Sequence, residues 1–263
     1  MIVNRDERRG RATSFASVAD AYERARPEYP DEAVRWLAGD GPADVIDLGA
    51  GTGKLTRGLR ALGHRVTAVE PLGEMLEYLR RALPDVQAVE GSAERIPLPD
   101  GSADVVACAQ AFHWFDEQAA LAEIARILRP GGRVALVWNT RDDRVPWTAM
   151  LSGTIGRETV EAKDGKEPIA ASGLFGLVEE ATFAFVQRLG REELLDLVRS
   201  RSYCAVMAPT ERDRVLAGVS ALYDAHADAD GVDLPYKTEC FRASRTIDRN
   251  YPINRPTGHC HKP

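Results

Sequence analysis

Between residues 44 and 139 the chain alternates two hydrophobic patterns. Short, near-continuous apolar runs are separated by longer stretches in which apolar residues recur every three or four positions. The runs at Val45–Leu48, Arg65–Glu70, Val86–Glu90, Ala103–Ala109 and Arg133–Trp138 predict buried strands. The stretches at 54–62, 72–82 and 116–128 predict helices, the last with Leu121, Ile124, Ala125 and Leu128 on one face. Strands alternating with helices of this length imply parallel βαβ units. Runs apolar at every position imply strands covered on both faces. Upstream, a helix is predicted over 16–25, ended by Arg26-Pro27-Glu28-Tyr29-Pro30, and Asp31 is a candidate N-cap for a helix to about Leu37. Beyond Asn139 the pattern weakens. Residues 147–163 and 191–227 read as helical, and 181–189 and 236–243 as strands that complete the sheet as an antiparallel edge. The expected fold is therefore a doubly wound, Rossmann-like α/β domain: a mainly parallel seven-stranded sheet with an antiparallel edge strand and helical cap insertions.

Composition narrows the class of function. A net charge of −6 without a long Lys/Arg cluster argues against nucleic-acid partners. No apolar run approaches the length that spans a bilayer, ~20 residues. The N-terminus lacks the apolar core of a secretion signal. Cys108, Cys204, Cys240 and Cys260 form no CxxC pair, so a reducing compartment, the cytoplasm, is expected. No metal site is expected: there is no HxxxH, and His259-Cys260-His261 falls in a Pro-containing tail from Thr246 to Pro263 that is expected to be disordered.

The chemistry concentrates where strands end. Gly49-Ala50-Gly51-Thr52-Gly53 leaves the first strand and opens a helix, at the crossover where doubly wound sheets bind ligands. A phosphate-binding P-loop needs one more residue between the glycines, and a Ser or Thr where Leu55 stands. A dinucleotide fingerprint needs its third glycine one residue later. The pattern fits an adenosyl ligand without phosphates, with Asp47 available to a ligand ammonium. Glu70, followed by Pro71, ends the second strand. A carboxylate placed there, about 20 residues after such a turn, accepts ribose hydroxyls. Gly91-Ser92-Ala93-Glu94 follows the third strand and can read an adenine edge. Gln110-Ala111-Phe112-His113-Trp114-Phe115-Asp116 follows the fourth, at the mouth of the crevice.

Together, Asp47-Leu48-Gly49-Ala50-Gly51-Thr52-Gly53, Glu70, Ser92-Ala93-Glu94, Asp104 and His113-Trp114-Phe115-Asp116 resemble the class I S-adenosylmethionine-dependent methyltransferases. The resemblance is to the branch with the type 11 methyltransferase domain, including trans-aconitate-methyltransferase-like enzymes. It covers residues from about Phe15 to Asp143. Tyr22, Arg26-Pro27 and Tyr29-Pro30 resemble that branch's N-terminal lid, Trp138 to Asp142 with Trp147 its segment after strand five, and Leu234 to Thr238 its last strand. The resemblance implies a lid over 1–30, a catalytic domain over 31–245 with cap insertions near 140–180 and 190–233, and an unmatched tail over 246–263. It implies S-adenosylmethionine as cofactor, bound by Tyr22, Arg26, Asp47, Gly49, Ala50, Gly51, Thr52, Glu70, Pro71, Ser92, Ala93, Glu94, Ala109 and Gln110. Ser92 departs from the acidic residue that many methyltransferases carry, which leaves adenine recognition to Glu94 and backbone amides.

The implied reaction is methyl transfer to a small molecule, at a hydroxyl or carboxylate oxygen. His113 is the candidate general base for a hydroxyl, or else it shapes the pocket; a carboxylate acceptor needs no base. Trp114 and Tyr22 can offer π faces to the sulfonium, and Arg141 can hold an anionic acceptor or serve a loop salt bridge. The assembly stays open between monomer and homodimer. Two other classes compete: a catalytically silent adenosyl-binding protein, which the intact crevice motifs disfavour, and a nicotinamide-dependent oxidoreductase, for which Tyr22, Tyr78, Tyr203 and Tyr223 all lack a Lys at the fourth position.

Overall fold

Pro30 cannot continue a helix backwards but is preorganised to start one. The computed structural model begins α1 just after it, over Asp31–Ala38, with Pro30 at the N-cap and Asp31, the expected cap, as the first helical residue. The structure describes Glu23 and residues 26–156, 165–201, 204 and 207–246, and every structural statement below concerns these residues. Tyr22, nearly all of the helix expected over 16–25, and the tail beyond Thr246 lie outside them.

Gly39 at φ 94° closes α1. The regular alternation follows: β1 Asp44–Leu48, α2 Lys54–Ala61, β2 Arg65–Glu70, α3 Gly73–Ala82, β3 Gln87–Glu90, β4 Ala103–Ala109, α4 Glu117–Ile127 and β5 Leu128–Arg141. Asp116 caps α4, its side chain accepting from the Ala119 amide at 3.3 Å. The C-terminal third contributes α5 Pro146–Ile155, α6 Lys166–Ala171, β6 Glu179–Leu189, α7 Arg191–Arg199, α8 Pro209–His226 and β7 Val232–Ser244.

The sheet order is β3-β2-β1-β4-β5-β7-β6. β1 to β5 pair in parallel, and β7 runs antiparallel to both β5 and β6. The expected antiparallel edge is thus the β7–β6 pair, with β7 the reversed strand. The chain leaves β1 towards β2 and β3, then returns to place β4 on the other side of β1. That reversal opens a crevice above the carboxyl ends of β1 and β4.

Both faces of the sheet are covered, as the continuous apolar runs require. Ile46, Val106, Val134 and Trp138 pack with α4 and α6 on one face. Val45, Val105, Ala135 and Val137 pack with α1 and α2 on the other. A separate cluster ties the cap helices α5, α7 and α8 to β7 through Leu151, Leu194, Leu197, Val219, Leu234 and Tyr236.

Three elements differ from expectation. β5 starts at Leu128 rather than Arg133. Gly131 at φ 80° and a register shift beside Ala103 carry the Pro-Gly-Gly segment into the strand. The helix expected over 147–163 stops at Ile155, where Gly156 adopts φ 81°; residues 157–164 lie outside the described set, and Lys166–Ala171 forms a helix of its own. The helix expected over 191–227 is broken: α7 ends at Arg199 and α8 begins at Pro209. Pro209 lacks the amide to continue one and instead begins α8.

Ile124 on α4 is fully buried against the sheet. Ile124→Ala should lower unfolding stability by about 2–5 kcal/mol with an unchanged denaturant slope in equilibrium urea unfolding.

Candidate functional site

The chain must leave β1 without covering the strand ends. The glycine turn does so through three left-handed residues, Gly49 at φ 73°, Gly51 at φ 56° and Gly53 at φ 90°. Side chains rarely tolerate that region, and glycine does. Gly49 is the constrained position. A Cβ there would stand 2.7 Å from that of Ala111 and 3.3 Å from the Phe115 ring, so the turn packs directly on the loop after β4. The Gly49 and Ala50 amides donate to the Val69 carbonyl on β2, at 2.8 and 3.2 Å. The Gly51 amide donates to Glu70 Oε2 at 2.9 Å, and the Leu72 amide donates to Glu70 Oε1 at 2.9 Å. Glu70 is therefore held between the turn and the start of α3, with Pro71 exposed beside it.

Asp47 is fully buried under the turn. Thr56 Oγ1 donates to its Oδ2 at 2.5 Å. Its other oxygen, Oδ1, has no hydrogen-bond partner, nor does the buried hydroxyl of Thr52. Burial pushes the Asp47 carboxyl up to about 7, opposed by the Thr56 bond and reinforced by the charge of Glu70. Burial also raises Glu70, while its two backbone donors pull the other way. Two buried acceptors without donors, next to a carboxylate that resists ionisation, are what a cationic ligand group would satisfy.

At the end of β4, Gln110 takes φ 54°, the one left-handed non-glycine residue among those described. Its amide donates to the Val137 carbonyl at 2.9 Å, and its side chain to the Asn139 carbonyl at 3.0 Å. Asn139, buried on β5, donates to the Glu28 carbonyl at 3.1 Å and accepts from Thr238 at 2.7 Å. The N-terminal segment is thereby anchored over the crevice. Lys54 Nζ donates to the Glu23 carbonyl at 2.9 Å and to Glu28 at 3.2 Å, and Arg57 pairs with both Glu23 and Glu28. Arg26 Nε reaches Ser200 Oγ at 3.0 Å.

These groups border a narrow, open cleft lined by Arg26, Pro27, Tyr29, Gly49, Ala50, Gly51, Thr52, Lys54, Leu55, Ala109, Gln110 and Asn139. The sequence singled out seven of these. It missed Pro27, Tyr29, Lys54, Leu55 and Asn139 as site residues. Pro27 and Tyr29 read only as part of the N-terminal lid pattern and Asn139 only as part of the segment after strand five, while Lys54 stands next to the last glycine of the turn. The remaining predicted residues stand outside this lining. Ala93 packs in the core beneath the sheet. Glu94 accepts from the Asp116 amide at 3.0 Å and so fastens the loop after β3, with Ser92, to the loop after β4. His113 and Trp114 occupy a short 3-10 turn in that second loop, with ring centroids 4.7 Å apart. Arg141 is buried at the end of β5; its Nε donates to Ser152 Oγ at 2.9 Å. Asp104 lies at the opposite end of the sheet, accepting from the Asp44 amide and pairing with Arg129.

A doubly wound sheet with a glycine turn and a carboxylate at the end of β2 defines a domain that binds an adenosyl cofactor at its switch point. Residues 46–136 match the model of the methyltransferase domain family. The chain is 45% identical over 240 residues to an uncharacterized methyltransferase of Mycobacterium tuberculosis, spanning 90% of this chain and 98% of that one. It is 35% identical over 219 residues to a malonyl-[acyl-carrier protein] O-methyltransferase of Serratia marcescens, spanning 81% and 78%. A solved structure from Anaeromyxobacter dehalogenans, described as a type II methyltransferase, superposes with a TM-score of 0.60 at 28% identity over 84% of this chain and 97% of that one. The chain belongs to the methyltransferase family and is an S-adenosylmethionine-dependent enzyme. Among the described residues no helix is long and apolar enough to cross a membrane.

The raised carboxyl of Asp47 makes stability depend on pH. A carboxyl raised on folding contributes fully below its unfolded value near 4, and that contribution is lost as pH rises through about 7. Asp47→Asn removes the penalty on ionisation. In ligand-free protein, its stability advantage over wild type should grow from pH 5 to pH 8 by on the order of 1 kcal/mol per unit up to the folded value, measured by urea unfolding. An equal difference at both pH values would contradict the assignment.

Proposed function

We propose that this crevice holds S-adenosylmethionine with its methionine end at the glycine turn and its ribose at Glu70, and that the enzyme methylates an oxygen of a small molecule. The observation that carries this reading is the pair of partnerless buried acceptors, Asp47 Oδ1 and Thr52 Oγ1, beside a Glu70 carboxylate already aimed at the turn. S-adenosylmethionine supplies a methyl group on a positively charged sulfur, open to displacement by an acceptor.

The chain's own task is placement and exclusion of water. Asp47 and Thr52 give a ligand ammonium the acceptors it needs. Glu70, held by the amides of Gly51 and Leu72, keeps carboxylate lone pairs for two hydroxyls. Ser92, Ala93 and Glu94, with Pro71, form the side on which an adenine ring is read. Ala109 and the strained Gln110 form the wall nearest the reacting end. Arg26, with Tyr22 preceding it, belongs to the lid that Lys54, Arg57 and Asn139 fasten down. In this reading His113, on the loop after β4, serves as the base for a hydroxyl or shapes the pocket, with Trp114 beside it as pocket wall. The relative from Serratia marcescens, by name an O-methyltransferase, supports oxygen as the acceptor atom.

S-adenosylhomocysteine should raise the melting temperature, whereas NAD and ATP should not. Glu70→Ala should weaken S-adenosylhomocysteine binding at least about tenfold by calorimetry, the loss expected for charge-assisted hydrogen bonds, with cooperative unfolding retained. A larger shift with NAD, or unchanged affinity in the variant, would overturn the cofactor placement.

If His113 acts as a base, His113→Ala should lower turnover of a hydroxyl acceptor by about 10²–10⁴-fold and leave cofactor affinity unchanged. A raised KM with unchanged kcat would instead assign His113 to shaping the pocket.

A further inference from the structure

Outside the cofactor cleft, the deepest concentration of polar groups lies where β5 and β7 meet the cap helices. Arg141 and Tyr236 are direct partners across the antiparallel β5–β7 ladder, so their side chains leave the same face of the sheet. Both are buried, at 6% and 2% exposure. The Tyr236 ring is stacked on Phe185, with centroids 5.1 Å apart and planes 9° from parallel, which fixes where its hydroxyl points. That hydroxyl is buried and has no hydrogen-bond partner.

Two further guanidinium groups approach from other elements. Arg201 follows α7 and is 5% exposed. Arg26, from the N-terminal segment, donates to the hydroxyl and the carbonyl of Ser200, the residue beside Arg201. Ladder pairing sets Arg141 beside Tyr236, and the Ser200 bonds set Arg26 beside Arg201. Burial pushes the Tyr236 phenol above its ordinary range, and the positive charges of Arg201, Arg141 and Arg26 act against it. Arg141 is held in orientation: its Nε donates to Ser152, whose hydroxyl in turn donates to Asp143 at 2.7 Å.

We propose that Arg141, Arg201, Arg26 and the Tyr236 hydroxyl form a subsite for an anionic group of the methyl acceptor, a carboxylate or phosphate that is held as a handle and is not itself methylated. A planar guanidinium presents paired donors that match the oxygens of either anion, and a phenol adds a further donor without adding charge. Tyr236 supplies a donor that has no partner among the described residues. Arg26 is shared with the lining of the cofactor cleft, which puts the subsite next to that cleft. The acceptor class is then a small organic acid or phosphate monoester that presents a second, nucleophilic oxygen. This assignment rests on the methyltransferase reading for its purpose, but the anion pocket can be tested without turnover.

The test is calorimetric titration of the S-adenosylhomocysteine-loaded protein at constant ionic strength. The probes are succinate, citrate and inorganic phosphate, with succinamide as the neutral counterpart. At least one anion should bind, and succinamide should not. Tyr236→Phe, which keeps the ring stack, and Arg141→Lys, which keeps the charge, should each weaken that anion by about tenfold while S-adenosylhomocysteine affinity stays within about twofold. Carboxylate and phosphate arms that differ in affinity identify which anion the pocket is built for. The proposal is overturned if no anion binds more tightly than succinamide, or if the anion that binds is indifferent to both variants. Loss of S-adenosylhomocysteine binding by the wild-type protein is a separate failure, of the cofactor placement, and the anion series run without it still decides the subsite.

Discussion

The 2.9 Å bond from the Gly51 amide to the Glu70 carboxylate joins two constraints that the rest of the site depends on. A parallel sheet sets the carboxyl ends of β1 and β2 side by side, and a chain leaving β1 must pass over them to start α2. Glycines at the left-handed positions let it turn tightly enough to do so and still touch β2 through the Val69 carbonyl. Once the turn is laid down, Glu70 is pinned at its edge and Asp47 sealed beneath it. The loop after β4 is drawn in until Ala111 and Phe115 lie against Gly49. The crevice is thus a consequence of how β1 ends.

That arrangement stores an electrostatic mismatch. Asp47 and Glu70 are buried carboxylates near one another, and desolvation raises both. The nearest strongly basic side chain on α2, Lys54, is spent on Glu23 and Glu28 instead, and Arg57 on the same two carboxylates. The cations at the start of α2 therefore hold Glu23 and Glu28 of the N-terminal segment, and the carboxyl groups under the turn are left to a ligand. A positively charged ligand end resolves the mismatch without rearranging the sheet, which is a physical reason for the site to prefer a cationic cofactor to a phosphate-bearing one.

The parts of this structure that were legible in the sequence are those where local pattern and tertiary environment agree. Strands buried on both faces read as unbroken apolar runs, and the glycine turn and Glu70 read from spacing alone. The cap did not read cleanly, because its helices bury their apolar faces against one another and the antiparallel end of the sheet rather than against its parallel strands, and α8 carries one fully buried residue, Val219, in 18. Asn139 read only as part of the segment after strand five and not as a site residue, because its role comes from three segments distant in sequence: Glu28, Gln110 and Thr238. Asp104 carried the opposite lesson. It belongs to the motif pattern but stands at the far end of β4, where it braces Asp44 and Arg129 and takes no part in the crevice.

Arg26 is where the two halves of the site meet. It lines the cofactor cleft, and through Ser200 it sits beside Arg201 at the mouth of the cap. In the proposed reading of the N-terminal segment as a lid, a segment fastened only to α2 would cover the cofactor whatever the acceptor pocket held. Fastened also to Ser200, just after α7, it would not lift without disturbing the residues around Tyr236. Any free energy by which the acceptor's anion tightens the Arg26 end would then return as tighter cofactor retention, since coupling between two binding sites is reciprocal. The glycine turn sets where the cofactor lies; the span from Lys54 through Arg26 to Ser200 sets how far its retention depends on what lies beside it.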